Sequence, residues 1–162
     1  MTPLDIRLVP ARESDVPLVY SLIRRLADYE RLAHELEATE DSLHDAMFGE
    51  WPLIEVVLAY VGSEVAGYAL YFHNFSTFAG RRGLYLEDLF VLPEHRGRGI
   101  GKRLLTHLAR LAGERRCRRL EWAVLDWNDS AIRFYESLGA VPMNDWTTYR
   151  LSGEALDRLA DS

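Results

Sequence analysis

The sequence has little cysteine and no long apolar run, and these absences exclude several classes of protein. Its 162 residues contain one cysteine, Cys117, so the chain forms no internal disulfide and no cysteine-rich metal cage. No apolar stretch approaches the roughly 20 residues that a membrane-spanning helix needs. The first ten residues lack the basic and apolar segments of a secretory signal. We therefore expect one cytoplasmic domain, residues 1–162, without a membrane partner.

Charge is distributed unevenly along this acidic chain, whose net charge is −6. Residues 1–60 hold 12 acids and 5 bases, whereas residues 61–162 hold 13 acids and 14 bases. Nine of the bases lie within 92–119, beside only two acids. An acidic protein lacks the broad basic face of a nucleic-acid-binding protein, so no nucleic-acid partner is expected. The local basic patch instead predicts a small anionic ligand, while the acidic first third is either a solvated face or a site for a cation.

Hydrophobic periodicity predicts a mixed α/β fold. The strand-like segments are 6–9, 54–61, 65–72, 84–92, 119–125 and 146–151. Helical spacing is present after Ser14 or Asp15, after Thr39, in the stretch that ends near Gly113, and over 128–138. The order is then strand, two helices, three strands, helix, strand, helix, strand, with a loop at 74–83. Its strand–helix–strand part predicts a right-handed crossover.

The most informative stretch is RGRGIGK at 96–102, between a predicted strand and a predicted helix. Glycines let the backbone approach an anion closely and adopt positive φ. The first N–H groups of the following helix lack intrahelical partners and, with the helix dipole, form a cradle for phosphate. Basic residues at such a helix start are unfavourable without a bound anion. The stretch therefore predicts a phosphate-bearing ligand, the alternative being a glycine-rich turn with solvated arginines.

Two common phosphate motifs match this stretch poorly. A P-loop has four residues between its glycines followed by Lys-Ser/Thr, but three residues separate Gly97 from Gly101, and Arg103 follows Lys102. ATP and GTP are therefore rejected as ligands. A dinucleotide fingerprint needs a third glycine where Lys102 stands, although Glu121 lies at a suitable distance. That alternative stays open.

Two motifs resemble the GNAT superfamily of N-acetyltransferases. The R-x-x-G-x-G pattern after a strand is similar to the acetyl-CoA pyrophosphate loop of that family. The pattern N-x-x-A-x-x-F-Y-x-x-x-G that starts at Asn128 resembles its second motif, at the expected separation. The stretches LYLEDLFVLPEHRGRGIG and AVLDWN…FYESLGA are similar to the diamine (spermidine/spermine) acetyltransferase branch, including thialysine acetyltransferases. The resemblance is sharp across about 84–140.

The resemblance implies a mainly antiparallel, twisted sheet with a splayed central strand pair, flanked by helices. It also implies acetyl-CoA as co-substrate and a homodimer. The residues themselves show no serine with a plausible histidine partner and no paired histidine spacing for a metal, so we expect direct attack by the acceptor amine in a ternary complex, without an acyl-enzyme or a metal. Tyr135 would be the proton donor to the leaving thiolate. The residues implied to bind the coenzyme are Leu89, Phe90, Val91, Arg96, Gly97, Arg98, Gly99, Ile100, Gly101, Lys102, Asn128, Ala131 and Tyr135.

Two carboxylates stand out independently of the resemblance. The segment 84–92 is apolar on both alternating faces, which predicts a strand buried on both sides, with Glu87 and Asp88 pointing to opposite faces. Burying an unpaired carboxylate costs several kcal/mol, so each needs a partner or a task. The partner alternative is an ion-paired structural role. An alkylammonium with a pKa of about 10.4 must lose a proton before it attacks. Glu87 is therefore predicted to help deprotonate the amine.

The resemblance places the acceptor amine near six residues: Tyr29, Glu30, Glu87, Glu121, Trp122 and Ala123. Polyamine-specific members carry an acid in the loop before the Leu-Glu-Asp strand. This chain has no acid from Tyr71 to Leu86, but has Arg81 and Arg82. A short amine or a lysine-like amino acid such as thialysine is therefore expected rather than a long polyamine. The alternatives are a non-catalytic CoA-binding domain and a protein or peptide N-acetyltransferase.

Overall fold

The computed structural model describes residues 4–162, which form two compact units, one ending at Ala123 and the other spanning Val124–Ser162. The first unit contains the sheet and three helices. In chain order these are β1 (Ile6–Pro10), α1 (Val16–Tyr29), α2 (Glu40–Phe48), β2 (Glu55–Val61), β3 (Glu64–Ser76), β4 (Arg81–Val91), α3 (Ile100–Glu114) and β5 (Leu120–Glu121). The second unit contains α4 (Asp129–Ser137) and α5 (Gly153–Ala160).

The strands form one mixed sheet in the order β1-β2-β3-β4-β5. The first three pairings are antiparallel, and β4 runs parallel to β5. The β4–β5 register joins Leu84 to Leu120 and Tyr85 to Glu121, after which β4 continues to Val91. The two strands therefore separate beyond Tyr85, which confirms the predicted mixed sheet with a splayed strand pair.

A β-bulge interrupts β4 at its carboxylates. Leu70 of β3 lies opposite Asp88, and the next residue, Tyr71, lies opposite Leu86. Glu87 is therefore the extra residue of a bulge, and side-chain alternation shifts there. Phe90 and Leu92 join the core that packs against α1 and α2, whereas Leu84 and Leu86 are buried outside that core. The prediction of a strand buried on both sides was wrong at the bulge, where Glu87 is exposed.

The helices in the first unit have the apolar faces that their sequences predict. In α1 the residues Val19, Leu22 and Leu26 are buried, and α3 buries Ile100, Leu104, Leu105, Leu108 and Ala112. Thr39 caps α2, because its hydroxyl accepts a 3.1 Å hydrogen bond from the N–H of Ser42. Apolar side chains buried at helical spacing therefore pack α1 and α3 against the sheet.

Three boundary predictions were wrong. The strand expected at 119–125 is only two residues long, because β5 has a partner only where it meets β4. The segment 146–151 is not a strand, because no strand among the described residues pairs with it through hydrogen bonds. The helix α5, which the sequence analysis did not predict, follows this segment. The loop expected at 74–83 is shorter, as β3 and β4 extend into it. The hydroxyl of Ser76 accepts a hydrogen bond from the Ala79 N–H in the tight turn that joins them.

No helix within residues 4–162 is long and apolar enough to cross a membrane. Over the same residues, no group of three or more His, Cys, Asp or Glu side chains is placed to hold a metal ion.

Candidate active site

Three carboxylates interact where the bulge of β4 faces the end of α1. Glu30 follows the last residue of α1, Glu87 is the bulge residue, and Asp88 comes next. The Tyr68 hydroxyl donates a 2.9 Å hydrogen bond to Oδ2 of Asp88. Tyr68 is fully buried, Asp88 and Glu30 are half-buried, and Glu87 is exposed. We call Glu30, Glu87 and Asp88 the acidic cluster.

Burial and mutual repulsion disfavour the complete ionisation of the acidic cluster. Burial raises the pKa of Asp88 to about 6; the Tyr68 hydrogen bond opposes this rise, and the charges of Glu87 and Glu30 add to it. Burial, and then the charge of Glu87, also raise the pKa of Glu30. Burial raises the pKa of Tyr68 well above its usual range, so its hydroxyl stays protonated. At neutral pH the cluster combines a negative field with a carboxyl group that gains or loses a proton readily.

The bulge corrects the prediction for the two carboxylates. Strict alternation placed Glu87 and Asp88 on opposite faces, but the charge of Glu87 acts on Asp88 and on Glu30 alike. The extra residue removes the alternation at this point, so both side chains join one cluster. The buried carboxylate is Asp88, and Glu87 is the one that solvent or a ligand reaches.

An aromatic and cationic stack borders the acidic cluster. The guanidinium of Arg96 lies 4.5 Å from the ring centroid of Tyr29 and 5.6 Å from that of Phe90. Its Nε donates a 3.0 Å hydrogen bond to the carbonyl oxygen of Val91, at the end of β4. The two ring centroids are 6.1 Å apart. Arg96 therefore holds the end of α1 and the end of β4 together beside the start of the glycine-rich stretch.

The glycine-rich stretch has the backbone that the sequence predicts. Gly97 and Gly99 adopt φ values of +74° and +80°, and Gly99 is the N-cap of α3. A side chain at either position would meet nothing within 4 Å, so backbone conformation alone selects glycine there. Arg98 and Lys102 are exposed, whereas the Ile100 side chain is buried. Ile100 can therefore offer a ligand only its backbone.

Other residues implied to bind the coenzyme or the amine lie near this region. Leu89 and Val91 are half-buried in β4 beyond the point where β5 ends, but the Phe90 side chain belongs to the core. Glu121 lies opposite Tyr85, and burial, then the charges of Glu87 and Glu121, raise the pKa of that tyrosine. After Glu121, Trp122 is half-buried and Ala123 is exposed.

The second unit carries the remaining predicted residues on or beside α4. The Asn128 side chain caps this helix by accepting hydrogen bonds from the Ala131 N–H at 3.4 Å and from the Ser130 hydroxyl at 3.3 Å. Tyr135 is half-buried, and its ring centroid lies 5.5 Å from that of Phe134. Gly139, with φ of +90°, ends the motif just after the helix. Asn128 thus has a structural role in starting α4.

Sequence reasoning missed Tyr68, the hydrogen-bond donor to Asp88. Its position within an apolar strand concealed it, because a tyrosine there is most simply a core residue. The available signal was that a buried carboxylate needs a hydrogen-bond donor, and Tyr68 is a phenol in the strand-like segment that precedes the Glu-Asp strand along the chain.

Comparisons with known proteins agree with these features. The model of the acetyltransferase (GNAT) family matches residues 19–140. Thialysine N-epsilon-acetyltransferase of Mus musculus is 38% identical over 95% of this chain and 96% of its own length. L-ornithine N5-acetyltransferase of Arabidopsis thaliana is 31% identical, covering 94% of this chain and 87% of its own. A solved integron cassette protein from the V. cholerae mobile metagenome has a TM-score of 0.81 and 30% identity, covering 98% of this chain and 99% of its own.

These matches extend over most of the chain, and the family match includes both the acidic cluster and the glycine-rich stretch. The chain therefore belongs to the GNAT acetyltransferase family and is an N-acetyltransferase.

Proposed function

We propose that this enzyme transfers an acetyl group from acetyl-CoA to a primary amine of a small, lysine-like amino acid such as thialysine. The observation that carries the proposal is the acidic cluster at the bulge of β4, where three carboxylates lie beside the stacked Tyr29 and Arg96. A cluster of negative charge attracts an ammonium group. A carboxyl group whose pKa is about 6 can then accept the proton that the ammonium must lose.

The basic residues near the turn between β3 and β4 support an amino acid rather than a polyamine. Arg81 and Arg82 are exposed at the start of β4 and pair in register with Ser76 and Phe75. No acid lies between Tyr71 and Leu86 to hold a distant second ammonium. An amino-acid carboxylate would instead find a partner there. The thialysine and ornithine acetyltransferases among the relatives are named for substrates of this class.

The glycine-rich stretch fits the pyrophosphate of acetyl-CoA. Two left-handed glycines leave their N–H groups accessible, and the first turn of α3 contains basic residues and no acid. Residues 97–102 would hold the pyrophosphate through backbone N–H groups. The edge of β4 at Leu89–Val91, beyond β5, would bind the pantetheine arm, and Asn128 and Ala131 at the start of α4 would contact the rest of the coenzyme. Acetyl-CoA supplies the acetyl group as a thioester.

Proton movements then follow from the chain's own residues. Glu87 and Asp88 take the proton of the ammonium, directly or through water, and leave a neutral amine. That nitrogen forms a bond to the thioester carbonyl carbon as the carbon–sulfur bond breaks. Tyr135 is proposed, on the family resemblance, to donate its proton to the departing sulfur. The nitrogen loses a second proton as it becomes an amide, and this proton returns to the Tyr135 oxygen. The acidic cluster also stabilises the transient positive charge on nitrogen during attack.

We also propose that both units belong to one acetyltransferase domain, because the family match at residues 19–140 continues across their boundary. A homodimer is proposed from the family resemblance. A reducing, cytoplasmic location suits a chain with a single cysteine.

The test is release of CoA thiol from acetyl-CoA with thialysine, lysine, ornithine, putrescine, spermidine and a peptide as acceptors. Thialysine or another lysine-like amine is expected to give the highest kcat/KM, and Arg82→Ala should reduce that preference. The variants Glu87→Gln, Asp88→Asn and Tyr135→Phe should each lower kcat by about 10²-fold. Glu114→Gln, which neutralises an exposed acid at the end of α3, is the control. Equal kcat/KM for spermidine and thialysine would contradict the proposed acceptor, and preference for the peptide would favour protein acetylation.

A further inference from the structure

A basic cleft lies between β1 and α3. None of the residues that line it belongs to the acidic cluster. Its volume is about 720 Å³. The charged residues that line it are Asp5, Arg7, Lys102, Arg103, His107 and Arg110. All of them belong to the unit that ends at Ala123. With four permanent cations, one carboxylate and a neutral histidine, the lining has a net charge of +3, in a chain whose net charge is −6.

The cations of the cleft have no acidic partners. Within residues 4–162 none of the ion pairs involves Arg7, Lys102, Arg103 or Arg110. Arginines that the structure does pair with acids lie outside the cleft, such as Arg115, which contacts Glu55 at 2.6 Å. The guanidinium of Arg7 lies 5.2 Å from the ring centroid of Tyr60, which orients it without neutralising it. The cleft therefore keeps its positive charge uncompensated.

Helix geometry concentrates this charge on one side of α3. Arg103 and His107 are four residues apart, and His107 and Arg110 are three apart, so all three share one face of the helix. Arg103 and Arg110 are seven residues, or two helical turns, apart, and no acid of α3 lies between them. Arg7 lines the same cleft from β1. An anion bound between the two elements would offset the mutual repulsion of these three cations.

We propose that this cleft binds a phosphorylated anion. The ligand chemistry is a phosphate group with two or more negative charges, held by Arg103 and Arg110 from α3 and by Arg7 from β1. The cleft begins at Gly99 and Lys102, which also belong to the stretch proposed to hold the coenzyme pyrophosphate. Two sources of phosphate are therefore distinguishable: the 3′-phosphate of acetyl-CoA, and a separate phosphorylated molecule. The first source rests on the proposed function, and the second does not.

Calorimetric titration of the full chain distinguishes the two sources. One arm compares acetyl-CoA with its 3′-dephospho form, and the other titrates inorganic tripolyphosphate into protein saturated with acetyl-CoA. Arg110→Ala is the test variant, because Arg110 lies two helical turns beyond Lys102, outside the glycine-rich stretch. Arg118→Ala is the matched control, since it removes an exposed arginine that does not line the cleft.

If the 3′-phosphate enters the cleft, the wild type should bind acetyl-CoA at least about tenfold more tightly than the dephospho form, and Arg110→Ala should abolish most of that preference. If a separate anion enters, tripolyphosphate should bind in the presence of acetyl-CoA, and Arg110→Ala should weaken it by about tenfold. In either case Arg118→Ala should change affinity less than twofold, and affinity should fall as salt rises from 0.05 to 0.2 M, as expected for charge attraction.

The proposal is overturned if tripolyphosphate does not bind and removal of the 3′-phosphate changes nothing, even though acetyl-CoA binds. Equal losses in Arg110→Ala and Arg118→Ala also overturn it, because they indicate only a general effect of charge. If acetyl-CoA fails to bind but tripolyphosphate binds and is lost in Arg110→Ala, the proposed function fails while the anion site stands. Without ligand, Arg110→Ala should be at least as thermally stable as the wild type, and a marked loss of stability would contradict the repulsion on which the site is argued.

Discussion

Replacing Asp88 with asparagine is expected to stabilise the folded protein at alkaline pH while it impairs catalysis. The carboxyl group is largely buried, and its pKa rises from an ordinary value of 3.8 to about 6. A group whose pKa is higher in the folded state stabilises the fold only while it is protonated. That contribution is complete below pH 3.8 and is lost as pH rises through about 6. Ionised Asp88 at pH 8 is therefore a cost that the asparagine variant removes.

The size of the effect follows from the two pKa values. A difference of one pH unit corresponds to roughly 1.4 kcal/mol, so the rise from 3.8 to about 6 corresponds to about 3 kcal/mol at pH 8. By linkage about half of this difference remains at pH 5, and little remains at pH 4. The asparagine oxygen can still accept the hydrogen bond from the Tyr68 hydroxyl, so that hydroxyl keeps its partner.

Urea unfolding of the wild type and Asp88→Asn at pH 8 and pH 5 measures this difference, with CoA-thiol release as the activity readout. The variant should be more stable by about 2–3 kcal/mol at pH 8, with a smaller gain at pH 5. The control Glu114→Gln should change stability by less than about 0.5 kcal/mol, because Glu114 is exposed and lies outside the acidic cluster. Equal stability of Asp88→Asn and wild type at pH 8 would refute the reasoning, as would a gain that is independent of pH.

Three further perturbations test other parts of the structure. Tyr68→Phe removes the hydrogen bond that lowers the pKa of Asp88, so the acidic limb of the kcat/KM profile should move to higher pH; an unchanged profile would separate Asp88 from the reaction. Gly99→Ala should cost about 1–2 kcal/mol of unfolding free energy through its φ of +80° and raise KM for acetyl-CoA, as urea melts and kinetics would show. Glu55→Gln breaks the pair with Arg115, which lowers the pKa of Glu55. After allowance for solvent screening, the substitution should cost about 1 kcal/mol of unfolding free energy at pH 7, and urea melts should show a smaller cost as pH falls below the usual value of 4.5, because this contribution is lost as Glu55 is protonated.

The sequence predicted the parts of the fold that depend on local patterns. The buried spacing of α1, the Thr39 cap of α2 and the left-handed glycines before α3 all follow from local patterns. These patterns are apolar residues at helical spacing, a hydroxyl side chain before a helix, and glycines that tolerate positive φ. The segment 146–151 shows the limit of this approach. Its alternating residues have β propensity, but a strand also needs a hydrogen-bonded neighbour, and a single sequence does not reveal whether one is present.

The candidate site was predicted by residue but not by arrangement. The sequence singled out Glu87 and Asp88, yet it could not show the bulge, because a bulge is a register difference between two strands and leaves no pattern in either one alone. The bulge changed the expected environments: Glu87 is exposed, whereas Asp88 is half-buried and accepts the hydrogen bond from the Tyr68 hydroxyl. Asp88 is consequently the carboxyl group whose pKa is raised to about 6. The role predicted for Glu87 in deprotonating the amine stays a prediction.

Strand β4 and helix α3 keep two oppositely charged regions apart. An amine acetyltransferase needs a negative region for an ammonium group and a positive region for the phosphates of its coenzyme. The carboxylates of β4 and at the end of α1 create a negative field where we propose that the ammonium binds, while the first turn of α3 contains basic residues, no acid, and backbone N–H groups without intrahelical partners. If these charges were mixed, they would neutralise one another by ion pairing, and neither ligand would be attracted. Arg96 lies at the boundary, where its guanidinium stacks on Tyr29 and Phe90 and its Nε donates a hydrogen bond to the Val91 carbonyl. These contacts fix the first cation of the basic stretch on the aromatic rings and on the backbone of β4, so it is not paired with a carboxylate of the acidic cluster.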